Sequence, residues 1–509
     1  MMRGVFTVGV WTLLSRVLGF LRDALILSYL GTGPAYQAFV VAFRLPNMFR
    51  RFFAEGAFNL AFVPMFSKRL EADEHPNEFA NEAFSGLATV LIVLTIAAQA
   101  AMPWLIYALA SGFSGTETFD LSVEFGRIAF PYILFISLAA LASGVLNATG
   151  RFAAAAAAPV LLNVLLVGAI LFAAFTERDV ARALIWMIPL AGFAQLALVW
   201  VCARRAGVTL RMQRPRFTPD MRHLVKIAVP AAMAGGVMQI NLLVGQQVAS
   251  YFDRAVGWLF AADRLYQLPL GVVGIAVGIV LLPDLSRRLQ SGDDTGARAA
   301  FSRATEISLA LTIPASVALM VIPFPLVRVL FERGSMTTDD SAAIAVAVAI
   351  YGLGLPAFVL QKTLQPLFYA REDTKSPFRF ALVAMIVNAA IAFGLAPVIG
   401  WIAPAIATTI AGWVMVLLLS IGTRSMGEVA RFDTQLRRRI WRICLASAGM
   451  GGLLWSASAS MSTFLGMDGW RYLALTILVT FGIVTYFTLA HLLGAIRISE
   501  LKGAMRRAR

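Results

Sequence analysis

The chain is poor in charge. Only 14% of its 509 residues are Asp, Glu, Lys or Arg, against roughly 25% in soluble domains. Acids are the scarcer sign, 28 against 43 bases, for a net charge of +15. No polar stretch is long enough for a separate soluble domain. Cysteine is almost absent: Cys202 and Cys444, far apart, exclude a disulfide framework. His75, His223 and His491 are scattered, so no metal-ligand spacing exists and no metal site is expected. There is no Walker loop, no His-x-x-x-His pair and no nucleophile elbow, so an enzyme is not expected. Asp293-Asp294 and Asp339-Asp340 read as solvated loop dyads.

What remains is apolar: 59% of residues are hydrophobic and the mean hydropathy is +0.77. Apolar runs of about 20 residues recur from end to end, which implies membrane-spanning helices rather than a barrel. The expected fold is all-α and polytopic, with about fourteen spans near 5–30, 36–64, 84–110, 125–147, 157–176, 183–203, 224–250, 256–283, 305–331, 341–369, 378–397, 401–422, 438–459 and 470–493. Arg16 and Arg22 argue that the first segment is retained as a span and not cleaved as a signal peptide. The loops alternate in charge. One set is basic, including Arg204–Lys226, Arg287–Arg303, Arg424–Arg439 and the tail from Arg497 to Arg509. The other set is short and neutral or acidic, as at Gly31–Ala35 and at Glu117, Asp120 and Glu124. By the positive-inside rule both termini are cytoplasmic. The basic excess is thereby read as topology and not as nucleic-acid binding.

The sequence repeats. Arg44-Leu45-Pro46 and Val63-Pro64-Met65-Phe66-Ser67-Lys68-Arg69-Leu70 recur as Asp263-Arg264 with Leu268-Pro269 and Leu282-Pro283-Asp284-Leu285-Ser286-Arg287-Arg288-Leu289. The two prolines are displaced by 223 and 219 residues, and Pro131 and Asn163 recur as Pro356 and Asn388, each displaced by 225. Spans one to six thus match spans seven to twelve. An even number of spans gives both copies the same orientation, related by an axis along the membrane normal, with a site expected at the midplane between them. The expected domains are an N-lobe at 1–215, a C-lobe at 216–425, and two extra spans with a basic tail at 426–509.

Residues 15–66 break the apolar rule. They carry Arg16, Arg22, Asp23, Arg44, Arg50, Arg51 and Glu55. A charge at mid-membrane costs about 2.5–3.5 kcal/mol on insertion scales, so these groups are expected to face a protein interior or a wet cavity. At 100° per residue Arg44, Asn47, Arg51 and Glu55 share a stripe. Arg50 lies about 100° away, and Pro46 and Gly56 could bring it round by bending the span. Arg264 is the counterpart in span eight. Guanidinium groups keep their charge and bind phosphate oxygens bidentately, so the cluster reads as an anion site. The opposing reading is a set of internal ion pairs bracing the bundle. Adjacent residues point apart on a helix, so Arg22–Asp23 and Asp263–Arg264 are not expected to pair locally, whereas Arg51–Glu55 has pairing spacing.

These stretches also resemble a known family. SRVLGFLRD at 15–23, AFRLPNMFRRFFAEGAFNLAFVP at 42–64 and ADRLYQLPLGVVGIAVGIVLLPDLS at 262–286 resemble the MurJ (MviN) lipid II flippases of the multidrug/oligosaccharidyl-lipid/polysaccharide exporter superfamily. FPYILFISLAALASGVLNATGRF at 130–152 and FYAREDTKSP at 368–377 fit too. The resemblance implies two six-helix lobes, with the last two helices forming a lipid-tail groove beside the second. It implies export of the undecaprenyl-pyrophosphate-linked peptidoglycan precursor across the bacterial inner membrane. The family's key basic residues fall by motif on Arg16, Arg22, Arg50 and Arg264, with Glu55 an acidic neighbour. This chain departs where many members have Asp-Ala-Phe: it has Gln37-Ala38-Phe39, so an acid role there fails.

The expected mechanism is alternating access, with Arg16, Arg22, Asp23, Arg44, Asn47, Arg50, Arg51, Glu55 and Arg264 forming the substrate site. No cofactor is expected, and the membrane potential or an ion gradient is the expected energy source. Expected partners are the lipid-linked precursor and membrane lipids, with wall-synthesis or division proteins as further candidates. A cation-coupled multidrug or polysaccharide exporter of the same superfamily and a non-transporting scaffold of wall synthesis are the alternatives.

Overall fold

The computed structural model describes residues 2–50 and 57–495, all helix and connection with no strand among them. Helices occupy each of the fourteen expected segments. Among the described residues nine helical stretches are long and apolar enough to cross a membrane, and Lys375–Ala430 alone contains two of the helices named below. Large apolar side chains stand exposed along them, among them Trp104, Phe175, Val398 and Leu492. A soluble protein would bury such residues; a lipid-facing surface requires them. The chain is a multi-pass membrane protein.

Contacts divide it into two compact units, Met1–Gly257 with Arg333–Met336, and Trp258–Glu332 with Thr337–Arg509. The first unit holds α1 (Met2–Leu30), α2 (Pro34–Arg50), α3 (Ala57–Ala72), α4 (Pro76–Leu109), α5 (Glu117–Ala129), α6 (Tyr132–Ala148), α7 (Ala153–Phe175), α8 (Val180–Arg205) and α9 (Pro219–Ala249). Within it α8 packs on α6 and α7, α7 on α1, α2 on α5, and α3 on α6 and α9. Polar bonds tie α9 to its neighbours at both ends. The Thr218 hydroxyl donates to Glu82 at 2.9 Å and Arg69 meets Asp220 at 2.7 Å. At the far end the Ser111 and Gly112 amides donate to Gln247 and Ser250, each at 3.0 Å. Gly31 closes α1 at φ 62°, and a Cβ there would stand 2.7 Å from the Ser335 carbonyl oxygen. Only glycine meets both demands without strain.

The second unit holds α10 (Ala255–Gln290, from Trp258 onward), α11 (Asp294–Val321), α12 (Pro323–Phe331), α13 (Thr338–Tyr369), α14 (Lys375–Ile399), α15 (Ala403–Gly422), α16 (Thr434–Ser460), α17 (Ser462–Gly466) and α18 (Arg471–Leu492). α13 packs on α11 and α15, and α15 on α14. The repeat marks sit on matching helices: Pro46 and Pro64 in α2 and α3, Pro269 and Pro283 in the single α10, Asn163 in α7 and Asn388 in α14.

The scarce acids work at helix starts. Asp179, Asp293 and Asp433 accept backbone N–H groups as caps of α8, α11 and α16. The Gly296 amide, with help from Thr295 and Arg288, holds the Asp293 carboxyl below its ordinary range. Asp340 corrects the solvated-dyad reading. It is buried, completes a capping box with Thr337 on α13, and accepts the Trp258 indole N–H at 2.8 Å.

The last two long helices pack on α11 through α16, with α18 against α16. Ile443, Ala446 and Met450 of α16 form a buried cluster with Tyr486 of α18 and Ala310 of α11. The Tyr486 hydroxyl donates to the Ala310 carbonyl at 2.5 Å. Arg439, expected in a basic cytoplasmic loop, lies instead on α16. It is 7% exposed and pairs at 2.6 Å with Glu306 of α11, itself 8% exposed. The capping of α16 by Asp433 starts the helix early enough to draw Arg439 into the packed face. Breaking a buried pair from one side strands an ion, at about 3–5 kcal/mol, whereas replacing both partners by apolar residues is often neutral. Arg439→Met alone is therefore expected to lower the melting temperature in detergent clearly, and Arg439→Met with Glu306→Leu to recover most of the loss. A double variant as unstable as the single one would show that the pair is not the brace.

Candidate functional site

α1 crosses the first unit with two charged residues buried side by side. Arg22 is 8% exposed and Asp23 is 7% exposed. The expectation that neighbours on a helix do not pair is overturned here. Arg22 Nε and Nη2 both donate to Asp23 Oδ1, at 2.9 and 2.6 Å. Cα–Cβ directions do diverge between adjacent residues, but the long arginine side chain is able to turn back along the helix to the short one. Neither ion could be left bare at that depth, and the bond satisfies both.

A third group fixes the geometry. Asn163 on α7 is 5% exposed. Its Oδ1 accepts Arg22 Nη1 at 2.9 Å and its Nδ2 donates to the Ser15 carbonyl at 3.0 Å. Asn163 thus spans two turns of α1, passing beside Gly19, where a Cβ would already touch its amide nitrogen at 3.5 Å. The Phe43 ring of α2 lies 5.9 Å from the guanidinium carbon. A guanidinium carries five N–H bonds. Three are used, so two, one on each Nη, are uncommitted among the described residues. The group is held, oriented and still able to bind oxygen.

The other sequence candidates divide. Arg44 of α2 donates from Nη1 to Gln246 of α9 at 2.5 Å. Asn47 turns back on its own helix, donating to the Phe43 carbonyl at 2.9 Å. Arg50 is half-buried at the end of α2. Arg16 is exposed on α1, with no hydrogen-bond or ion-pair partner among the described residues. Arg51 and Glu55 lie outside the described residues. In the second unit, Arg264 of α10 is half-buried with its guanidinium 4.4 Å from the Phe260 ring centroid, and Asp263 accepts from Gln267. Gln37, at the family's acidic position, is buried on α2, and its Oε1 finds no hydrogen-bond partner among the described residues. A neutral amide tolerates that position better than a carboxylate would. No cluster of three His, Cys, Asp or Glu side chains suited to a metal exists among the described residues. Asn163 was read from the sequence only as a repeat mark. A polar amide inside a 23-residue apolar helix was the available signal of a role.

The comparisons with known proteins point one way. Residues 26–474 match the family model described as lipid II flippase MurJ. A probable lipid II flippase MurJ of Rhizobium tropici is 43% identical, over 99% of this chain and 96% of the relative. The lipid II flippase MurJ of Burkholderia cenocepacia is 35% identical, over 84% of each chain. Among solved structures, a lipid II flippase MurJ in an inward closed conformation matches with a TM-score of 0.80 at 25% identity, over 95% of this chain and 98% of that one. An inward-facing MATE family multidrug resistance transporter of the MOP superfamily matches with a TM-score of 0.69 at 15% identity, over 81% and 94%. At that identity the likeness concerns the fold alone.

Asn163 orients Arg22 without cancelling its charge. Asn163→Asp keeps the shape and the acceptor, loses the donor to the Ser15 carbonyl, and sets a second carboxylate against the guanidinium. Two unit charges 4 Å apart interact by about 4 kcal/mol at an effective dielectric of 20, so even a fraction of that counts. Binding of a diphosphate-bearing lipid to the purified Asn163→Asp protein is expected to weaken at least about tenfold, or about 1.4 kcal/mol, with folding intact. Asn163→Ala, which only frees the fork, is expected to lose less. Equal affinities for Asn163→Asp and the unaltered protein would remove Arg22 from the site.

Proposed function

The chain belongs to the lipid II flippase MurJ family, and from that premise we propose that it carries the undecaprenyl-pyrophosphate-linked peptidoglycan precursor from the cytoplasmic to the periplasmic leaflet by alternating access. The observation that carries this reading is the buried guanidinium of Arg22, set by Asp23 and Asn163 with N–H groups to spare. A lipid diphosphate brings two phosphoryl groups to be recognised. Arg16, Arg44 and Arg50 of the first unit are further guanidinium groups for that cargo. Arginine holds its charge at any depth and its fork matches phosphate oxygens. The repeat halves serve as the two moving lobes, with α9 kept in the first unit to which it is tied, and the segment from 426 onward guides the polyprenyl tail in lipid.

The basic loops support a reading in which both termini lie in the cytoplasm and the protein sits in a bacterial inner membrane. In that orientation the inside-negative potential favours outward movement of an anionic head by about 2.3 kcal/mol per charge per 100 mV. It also favours inward return of the empty, cationic site. No bond is made or broken in the cargo, so the protein acts as a transporter without a cofactor, driven by the potential or by an ion gradient. The lipid-linked precursor and the surrounding lipids are its partners, and wall-synthesis or division proteins are candidates to receive the exported precursor.

Arg22→Ala and Arg264→Ala are each expected to abolish appearance of the precursor at the outer leaflet, scored by its outside accessibility in cells that depend on this chain, while membrane insertion is normal. Arg22→Lys, which keeps charge but not the fork, is expected to fall between. Normal export by both alanine variants would remove the anion site. Dissipating the membrane potential is expected to slow export in proteoliposomes several-fold when ion gradients are held constant. An unchanged rate would leave an ion gradient as the driving force.

A further inference from the structure

The connection between α12 and α13 leaves its unit. Both helices belong to the second unit, yet Arg333–Met336 between them belongs to the first. The tip docks on the end of α1. The last carbonyls of a helix have no donor within it, and at α1 this loop supplies two. The Ser335 amide donates to the Ser28 carbonyl at 2.8 Å, and the Ser335 hydroxyl donates to the Tyr29 carbonyl at 3.0 Å. The two backbones touch. Gly31 and Gly334 take positive φ, 62° and 60°, and a Cβ on Gly334 would clash with the Ser28 carbonyl oxygen. Met336 is buried, while Gly334, Ser335 and Tyr29 stand exposed.

The flanks of the tip are held by charged groups, all in the second unit. On one side the Glu332 carbonyl accepts Arg471 Nη1 at 3.1 Å, and the Glu332 carboxylate accepts Arg328 Nε at 3.3 Å and the Thr338 hydroxyl at 3.1 Å. On the other side Thr337 and Asp340 form the capping box that Trp258 secures. Hydrogen bonds to ionised groups are roughly twice as strong as neutral ones. The neutral bonds from Ser335 to α1 are therefore the weak joint. When the tip leaves α1 those carbonyls and donors pass to water, an exchange of small net cost where the groups are already exposed, and the flanks stay fixed. Gly31–Ala35 belongs to the neutral loop set read as outward, so the joint lies at the outer end. We propose that Arg333–Met336 is a releasable outer latch. Docked on α1 it keeps the outer side shut, and it leaves α1 when cargo is released there. The latch rests on the alternating-access reading and names a gate for it, outside the candidate anion site.

The test uses the full-length protein with Cys202→Ser and Cys444→Ser. In one arm Ser28→Cys and Ser335→Cys are joined by a short reducible thiol linker, and the join is verified by mass spectrometry. The joined protein is expected to bind diphosphate lipid as before, to export less than about a tenth as much precursor because opening is blocked, and to recover on reduction. The other arm needs no cargo. Met336→Cys is labelled from outside by a membrane-impermeant maleimide in spheroplasts. Labelling is expected to be slow, and to speed up at least about fivefold when Gly334→Ala raises the open population. Gly115→Ala, at φ 78° with nothing near its Cβ, carries the same backbone strain and is expected to leave the rate alone. Normal export by the joined protein, or labelling that Gly334→Ala does not change, would overturn the latch. A labelling change in a protein that exports no precursor would support the latch and remove the flippase reading.

Discussion

A guanidinium ion inside an apolar slab is tolerated in two ways. It can be cancelled by a carboxylate, or it can be held by neutral groups that orient it and leave its field standing. This chain uses both, in different places. Arg439 pairs with Glu306 where α16 meets α11, with Arg303 also 3.6 Å from the same carboxylate, and the result is a brace. In the first unit Asn163 adds an amide to Arg22 and Gln246 an amide to Arg44, and in the second the Phe260 ring faces Arg264. An amide or a ring orients a cation at small cost to its charge. Arg22 is the intermediate case, since Asp23 cancels its charge while Asn163 keeps its fork pointed.

Much of this was legible from residue type and spacing. Long apolar runs with charge-coded loops place the helices, because a bilayer fixes span length and the loops carry the basic residues. Arg16, Arg22 and Arg44 were legible because charge in such runs is expensive. What was lost depends on reach and on three-dimensional neighbours. The Arg22–Asp23 bond was missed because backbone vectors ignore how far an arginine can fold back. Arg439 was read as a loop residue because its neighbours Arg437 and Arg438 are basic, yet its burial is decided by the face of α16 turned to α11. Asp340 looked like half of a solvated dyad, and only the fold brings Trp258 to it. Asn163 carries no charge, so the cost of burying charge does not mark it.

The repeat and the packing follow different logics at α9. By sequence it opens the second copy, because the 223-residue displacement of the proline marks pairs span seven with span one. By contact it belongs to the first unit, tied there through Glu82, Arg69, Ser111 and Gly112. A sequence repeat records ancestry of the chain segments, and contacts record where polar side chains find partners. Only the latter costs free energy to break, at about 0.5–1.5 kcal/mol per neutral hydrogen bond.

Scarcity of acid also discriminates between cargoes. An exporter of cationic drugs of the same fold needs carboxylates in its interior with their charge available. Carboxylates inside helices bond neighbours, among them Asp23 to Arg22, Asp263 to Gln267, Asp284 to Arg288 and Glu306 to Arg439. Most of the other acids stand near helix ends, as caps or in surface pairs. Gln37 removes one more titratable group from α2. Against this, Arg16, Arg44, Arg50 and Arg264 lie in the spans as permanent cations. A guanidinium keeps its charge at any physiological pH and suits a phosphate-bearing guest better than a cationic one, because arginine does not titrate there.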